Sequence, residues 1–493
     1  MWLETIILVT VSYGARMRVS EYFKLGKNQP YLDFVDVRLD TDLPVFVDPG
    51  RLRSINSTWA TECLSLLQGY FDTVLNRIST GDHDGAIELL SCLGENNDFH
   101  LGFSRGKSRG SGLGDGSARD VWSALTKSKA GLTGLLQDLE DTCLLIDGIG
   151  PDRISDAICN ILRAPLIRYT QNACNYYGIP LTPDVASGPV WNSGSETWEE
   201  YPVSLPISNF GRVILVPKIV VRHRVWYDSQ EYYRHYLLPE MQDEEKRLNT
   251  GLVQVLKDGR KRVTKKSLMD KYGADKLAVV EQTIKHPSVL DKYRDEKKKR
   301  LPKALDHHGL AEVENSNPPD FSKHLEKLGK ILPGYQHAAA YENVIEEILT
   351  ALFYPALTMP TKQHKIHQGR KRIDLTYVNS ATGGFFHWLS LHYPSAHIFV
   401  ECKNYAEDVG NPELDQLSSR FSPSRGRVGL LVCRKIDDKE ILLRRCIDTA
   451  HDDRGFVIPI DDSALREMVE ASQEDANQLV FPYLRKIFNR LIM

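Results

Sequence analysis

Several features of common protein classes are missing from this 493-residue sequence. No apolar stretch approaches the roughly 18–20 residues that a membrane-spanning helix needs, so we expect no membrane segment. The eight cysteines are scattered, with no Cys-x-x-Cys pair and no Cys/His cluster at zinc spacing. We therefore expect free thiols in a reducing cytoplasm, rather than disulfides or a structural zinc.

The chain also lacks a strong excess of either charge. Its net charge is −3, which argues against a nucleic-acid binder that is basic throughout. A local excess does occur between Met241 and Lys303, where 18 Lys and Arg face 10 Asp and Glu. This basic segment, which includes Lys261-Arg262, Lys265-Lys266 and one denser cluster, is predicted to lie along a duplex backbone, because phosphate contacts release counterions. That cluster comprises Lys297, Lys298, Lys299 and Arg300. A solvated helical connector is the alternative.

The patterns of apolar residues predict a multi-domain chain with both α+β and α/β character. Residues 17–235 are expected to form a helix-rich mixed domain of recognition or regulation, with short strands at 34–37 and 44–47. Residues 236–335 are expected to form a basic, helical connector. Residues 336–493 are predicted to form an α/β domain around a central mixed sheet. Residues 1–16 are interpreted as an extension from a misassigned start codon, because Met17 begins a more ordinary opening.

The C-terminal pattern is the most regular. A helix is predicted over Ala338–Phe353, followed by strands over 372–378 and 397–403 that a long hairpin through Gly383-Gly384 joins. The next helix is expected to begin at Asn411 as its N-cap, with proline at the first helical position. The remaining predicted elements are a strand over 428–433, a helix over 439–450, a strand over 455–460 and a helix from Asp462.

Two of these strands carry the residues with the clearest chemistry. Side chains alternate along a strand, so Glu401 and Lys403 are expected on one face and Cys402 on the other. Asp374 on the neighbouring strand adds a second carboxylate. Mg²⁺ prefers oxygen ligands and usually takes only one or two protein carboxylates, and the backbone carbonyl of Cys402 offers another oxygen. The pattern indicates a divalent-metal site for hydrolysis of a phosphodiester.

The element order, with Asp374 and Glu401-Cys402-Lys403 on successive strands, resembles the PD-(D/E)xK restriction-endonuclease-like superfamily, and within it the Mrr-like nucleases. The resemblance covers about residues 336–465. It implies a restriction-endonuclease-like fold, with Asp374 and Glu401 as metal-binding acids and Lys403 as the catalytic lysine. It also implies Mg²⁺, for which Mn²⁺ can substitute, and DNA as the substrate. Ile373 stands where the family's name-giving proline sits.

The same resemblance points to residues on the flanking helices. Gln416 matches the glutamine on the helix that follows the strand in the Mrr-like group. Arg420 shares its helical face and is a candidate for a phosphate contact, with an exposed polar face as the alternative. An acid on the first helix often completes such sites. Glu342 lies nearest the buried face and is chosen as catalytic and metal-binding, with Glu346 in reserve.

Three other patterns carry less information. The glycine-rich segment 102–116, with Arg105 and Lys107, is either a flexible surface loop or a phosphate contact, and its spacing does not fit a P-loop. Segment 145–156 resembles the turn of a helix-hairpin-helix element. The aspartates between residues 33 and 48 are expected to face solvent rather than to hold a second metal.

The sequence therefore predicts a cytoplasmic Mg²⁺-dependent endodeoxyribonuclease in restriction or anti-phage defence, with RNA left open as a substrate. A homodimer or higher assembly is expected, because cutting both strands of a duplex takes two scissions. Two alternatives stand beside it. One is a nucleic-acid-binding module that does not cleave, and the other is a latent nuclease subunit that a partner of the defence system activates.

Overall fold

The computed structural model describes residues 17–94, 96–102, 123, 136–137, 140–146, 149, 151–223, 227–300, 303–366, 371–474 and 481–493. The proposed extension 1–16 and the candidate phosphate-binding residues Arg105 and Lys107 lie outside these ranges. Across the described ranges, none of the helices has the length and apolar character to cross a bilayer. The fold is mixed α/β, with a five-stranded mixed sheet in the C-terminal region.

The first part of the chain is built from helices joined by short two-stranded pairings. Its helices are α1 Val19–Tyr22, α2 Pro49–Ser54, α3 Thr58–Thr80, α4 His83–Ser91, α5 Asp141–Leu145, α6 Pro151–Ile161 and α7 Arg163–Tyr177. Its strands are β1 Phe46–Val47, β2 Thr182–Ala186, β3 Val190–Asn192, β4 Thr197–Glu199, β5 Pro202–Leu205, β6 Ile207–Ser208, β7 Gly211–Arg212 and β8 Val221–Arg222. The predicted strand over 34–37 is wrong: Phe34 forms only an isolated bridge with Pro217.

The predicted connector is helical. The helix α8 Ser229–Tyr232 precedes it. The connector contains α9 Leu238–Leu248, α10 Lys265–Tyr272, α11 Lys276–Lys285, α12 Pro287–Lys299, α13 His307–Glu314 and α14 Phe321–Lys330, with a two-stranded ribbon of β9 Gln254–Val255 and β10 Lys261–Arg262. Its apolar residues up to Leu310 belong to the same hydrophobic cluster as those of the first part. This segment therefore packs onto the N-terminal helices.

The C-terminal part holds one sheet with strand order β11-β12-β13-β14-β15. The strands are β11 Leu357–Ile366, β12 Lys371–Asn379, β13 His397–Lys403, β14 Val428–Cys433 and β15 Phe456–Asp461. β11, β12 and β13 pair antiparallel, whereas β13, β14 and β15 run parallel. Residues Val428–Cys433 are buried throughout, as expected for a strand covered on both faces.

Six helices accompany this sheet. They are α15 Ala338–Phe353, α16 Gly384–His392, α17 Asn411–Ser418, α18 Lys439–His451, α19 Asp462–Glu474 and α20 Pro482–Ile492. The predicted hairpin through Gly383-Gly384 is wrong, because α16 connects β12 to β13 and buries Phe385, Phe386 and Leu389. The strand β11 and the helix α20 are additional to the predicted order.

Buried polar contacts join the two parts of the molecule. Asp33 accepts hydrogen bonds from the hydroxyl of Tyr169 at 2.7 Å and from the backbone N–H of Met359 at 2.8 Å. The expectation that this aspartate series faces solvent is wrong for Asp33, Asp36 and Asp48, which are all buried. Asp36 accepts a hydrogen bond from the hydroxyl of Ser20 at 2.6 Å. Oδ1 of Asp48 accepts from the N–H of Gly50 at 2.8 Å, and its Oδ2 lies 3.6 Å from Nε of Arg222, so these buried charges have polar or ionic partners.

Candidate active site

The ends of two paired strands bring the predicted acids together. Leu375 of β12 pairs with Val400 of β13, so Asp374 and Glu401 follow one step beyond that pair, on the same face of the sheet. The backbone N–H of Cys402 donates to Oδ2 of Asp374 at 3.0 Å. This bond fixes the half-buried Asp374 beside the end of β13.

Glu401 lies at the centre of the site and is 1% exposed. Its Oε1 accepts hydrogen bonds from Nζ of Lys403 at 3.0 Å and from Nε2 of Gln416 at 2.5 Å. Lys403 also donates to Oε1 of Gln416 at 3.0 Å, which closes a triangle of three side chains. The other oxygen, Oε2 of Glu401, is buried and accepts no hydrogen bond from any described residue.

The electrostatics of this triangle place a cation beside an acid whose pKa is raised. Burial, and then the negative charge of Asp374, raise the pKa of Glu401, and Lys403 and Arg420 offset this only in part. Burial alone would lower the pKa of Lys403, but the charge of Glu401 and its hydrogen bond outweigh burial and raise it. Lys403 is therefore an ammonium, a donor and a positive charge rather than a base.

The helix α17 supplies Gln416, and Arg420 follows two residues after the helix ends. The N-cap of α17 is Gly410 rather than the predicted Asn411, and Gly410 N–H donates to the carboxylate of Glu413 at 2.8 Å. Arg420 is buried, so the alternative of an exposed polar face is wrong. Nη1 of Arg420 donates to the carbonyl of Gln416 at 2.5 Å, and its Nη2 lies 3.7 Å from Oε2 of Glu401. Arg420 thus faces the site.

Asn404, which directly follows β13, was not among the predicted site residues. Asn404 is buried, and its Nδ2 donates to the carbonyls of Leu332 at 3.0 Å and Gly334 at 2.9 Å. Its own carbonyl accepts from the N–H of Gly334 at 2.7 Å. These bonds hold the turn before α15 against the strand end. Its position directly after the Glu-x-Lys strand end was the only signal for it in the sequence.

The two candidate acids of α15, Glu342 and Glu346, lie in different surroundings. Glu342 is half-buried, and its charge contributes to raising the pKa of the Cys402 thiol, after burial and Asp374. Glu346, expected beyond the edge of the apolar face, is instead buried among Lys27, Tyr176 and Lys362. It faces the N-terminal part of the chain, so it does not serve as the reserve acid for this site.

The donor set fits a hydrated divalent cation and not a closed protein cage. In the described part of the chain, no three or more His, Cys, Asp and Glu side chains are grouped to hold a metal by themselves. The role of Glu342 at the metal stays a prediction. Asp374 and Glu401 provide two carboxylates, the number that Mg²⁺ usually takes from protein. Oε2 of Glu401 is buried and accepts no hydrogen bond from any described residue, and its ion pair with Nη2 of Arg420 is long at 3.7 Å, so this oxygen is the more available of the two as a metal ligand.

The residues of the basic cluster predicted for nucleic-acid contact differ in their surroundings. Lys297 forms a 2.5 Å ion pair with Glu231 and lies over the ring of Tyr293, so its charge is already engaged. Lys298, Lys299 and Arg300 are exposed at the end of α12. Their contact with nucleic acid stays a prediction, as does the role of the Cys402 carbonyl as a metal ligand.

Comparison with known proteins adds information on the N-terminal part only. A family model described as a domain of unknown function (DUF8370) matches residues 24–228, which is under half of the chain. This match ends before the connector and includes none of the strands that carry Asp374, Glu401 and Lys403. No curated protein and no solved structure matches the chain.

Proposed function

We propose that this protein is a Mg²⁺-dependent endonuclease that hydrolyses phosphodiester bonds of DNA. The observation that carries the proposal is the triangle of Glu401, Lys403 and Gln416 beside Asp374, with one carboxylate oxygen of Glu401 buried and unbonded. A salt bridge made only for stability has no need of a second acid that raises the pKa of the first. Neighbouring carboxylates, one of which raises the pKa of the other, are typical of functional sites.

Asp374 and Glu401 would hold the cation, which lowers the pKa of a bound water and neutralises charge on the scissile phosphate. Lys403 stays protonated on the same face as both acids, where it orients the attacking water and stabilises the negative charge that develops on phosphate oxygens. Gln416 fixes the carboxylate of Glu401 in one orientation through its amide. Arg420 supplies a second buried positive charge near Oε2 of Glu401.

The resemblance to PD-(D/E)xK nuclease domains supports this assignment, and we propose the restriction-endonuclease-like fold for the C-terminal part. A five-stranded mixed sheet flanked by helices, with the acids at adjacent strand ends, agrees with it. By the same resemblance the proposal extends to a cytoplasmic role in restriction or anti-phage defence. A homodimer supplies the two scissions that a duplex requires.

A second candidate, a latent nuclease that a partner protein activates, is favoured by one observation. Glu401 is almost fully enclosed, and α15 is tied to the N-terminal part through Glu346, which accepts hydrogen bonds from Lys27 at 3.0 Å and Tyr176 at 2.7 Å. A trigger that moved the N-terminal part would act directly on the first helix of the candidate nuclease.

The test is cleavage of supercoiled plasmid DNA with Mg²⁺ or with EDTA. Wild-type protein is compared with Asp374→Ala and Lys403→Ala, and with Asp415→Ala as the control, because Asp415 is an exposed acid on α17. Metal-dependent nicking by the wild type and the control, lost in the two site variants, supports the endonuclease. Equal binding without cutting by all four proteins would favour the non-cleaving module, and cutting only after a partner is added would favour the latent enzyme.

A further inference from the structure

A short two-stranded ribbon in the connector exposes the side chains on both of its faces. β9 and β10 pair antiparallel, with Lys261 opposite Val255 and Arg262 opposite Gln254. Residues that lie opposite each other share a face, so the two pairs point to opposite faces of the ribbon. All four are exposed, and Val255 is 68% exposed although it is an apolar strand residue. Neither face of the ribbon is covered by the described chain.

The ribbon and the helix start that follows it are strongly basic. Residues 254–266 contain six Lys and Arg and a single acid, Asp258, in a chain whose net charge is −3. Asp258 is paired with Arg260 at 2.6 Å, and Lys265 donates to the carbonyl of Arg234 at 2.5 Å. The other four cations form no ion pair with any described residue: Lys257, Lys261, Arg262 and Lys266.

The base of the ribbon is rigidly attached. Val263, directly after β10, is buried in the main hydrophobic cluster, and its carbonyl accepts from Nε2 of Gln242 at 2.5 Å. Thr264 caps α10 by accepting from the N–H of Ser267 at 3.1 Å. The tip turns through Gly259, whose φ of +81° suits glycine. A two-stranded ribbon is marginal alone, so this anchoring is what holds its cations in place.

We propose that this basic ribbon, residues 254–266, is a docking element for the backbone and major groove of duplex DNA. The inference rests on the proposed nuclease function and extends it to a surface that positions the substrate. The major groove of B-form DNA admits a two-stranded β-ribbon, whereas the deep, narrow major groove of A-form RNA does not. Cations on both faces of the ribbon suit contact with the phosphates on both walls of such a groove.

The test measures binding of full-length protein to a labelled DNA duplex in EDTA, over a range of salt concentrations. The variant Lys261→Gln/Arg262→Gln removes two charges from the ribbon, and the control Lys323→Gln/Lys330→Gln removes two equally exposed charges from α14. We expect roughly tenfold weaker binding at 100 mM salt for the ribbon variant only. Between 50 and 200 mM salt, the affinity of the ribbon variant should also fall about tenfold less than that of the wild type, because two phosphate contacts are lost.

Affinities and salt slopes that are the same for the ribbon variant and the wild type would overturn the proposal, as would an equal loss in the control. A duplex RNA of the same length, bound as tightly and with the same dependence on Lys261 and Arg262, would overturn the assignment to B-form DNA. Because EDTA prevents metal-dependent cutting, binding is judged apart from cleavage. A protein that binds DNA through the ribbon but never cuts it would contradict the proposed nuclease activity and leave the proposed role of the ribbon standing.

Discussion

Nζ of Lys403 donates a hydrogen bond of 3.0 Å to Oε1 of Glu401, two positions earlier on the same strand. The lysine side chain is only 11% exposed and that of the glutamate 1%. Breaking a buried ion pair from one side leaves the remaining charge uncompensated, which costs more than the pair itself contributes. The pair therefore determines both the charge state of the site and part of its stability.

Replacing Lys403 by methionine is expected to destabilise the protein by about 2–4 kcal/mol near pH 8, because buried Glu401 loses its closest cation. The loss should shrink near pH 5, where Glu401 can take up a proton instead. Urea unfolding at both pH values measures this, with the exposed Lys435→Met as the control. A loss of stability that is the same at both pH values would show that removing the lysine does not change the protonation of Glu401.

Glu401→Gln is expected to gain stability relative to the wild type as the pH rises from 4 to 8. Burial and Asp374 raise the pKa of Glu401 in the folded state, so its favourable contribution is present below its unfolded value and is lost as pH rises through the folded pKa. Each tenfold difference in proton affinity between the folded and unfolded states corresponds to about 1.4 kcal/mol. Thermal unfolding from pH 4 to 8 tests this, and a difference in stability between the two proteins that does not change with pH would contradict it.

Gly429→Ala is expected to disturb the site by pushing away α17, the helix that carries Gln416. A Cβ on Gly429 in β14 would lie 2.9 Å from Cζ of Phe421 and 3.0 Å from Cδ2 of Leu417. Overpacking of this kind costs about 1–3 kcal/mol, and the shift of α17 should move Gln416 away from Glu401. Both unfolding free energy and DNA cleavage should fall.

The matched control for this substitution is Gly69→Ala in α3, where nothing lies within 4 Å of the added methyl group. Alanine is favoured over glycine in a helix interior by about 0.5–1 kcal/mol, so this variant should be slightly more stable and cut normally. Normal cleavage by Gly429→Ala in a folded protein would show that the packing of α17 does not position Gln416.

Glu347 is expected to contribute acid-sensitive stability at the junction between α15 and the N-terminal part. Burial raises its pKa, but His324, Lys27 and Lys327 outweigh burial and hold the pKa at about 2. A depressed pKa stabilises the fold above the unfolded value of 4.5 and loses that contribution as pH falls toward 2. Wild type should exceed Glu347→Gln by about 1 kcal/mol at pH 7, with the difference vanishing near pH 2. A difference independent of pH in urea unfolding would contradict this.

Strand and helix patterns predicted the C-terminal elements closely because local alternation and a long apolar stripe are visible in the chain. α15 begins and ends at the predicted residues, and so does β13. The same alternation placed Lys403 on the face of Glu401. β11 was missed because Pro360 and the polar residues after it interrupt any strand pattern, and α16 was missed because its two leading glycines indicate a turn.

Contacts between distant parts of the chain were beyond sequence reasoning. Glu346 looked like an edge residue of α15, yet Lys27 and Tyr176, both far earlier in the sequence, bury it. Arg420 looked equally suited to solvent or to phosphate, and only the tertiary structure turns it toward Glu401. Neither arrangement leaves a periodic signal, because the partners come from separate elements.

Single-turnover cleavage of an end-labelled DNA duplex tests the candidate active site most directly. Wild type, Asp374→Asn and Glu401→Gln are compared in Mg²⁺ and in EDTA, with the exposed Glu407→Gln as the control. We expect Mg²⁺-dependent cutting by wild type and control, and at least about a 100-fold lower rate in both site variants. Cutting by wild type that persists in EDTA, or site variants that cut at the wild-type rate, would contradict a metal-dependent site at Asp374 and Glu401.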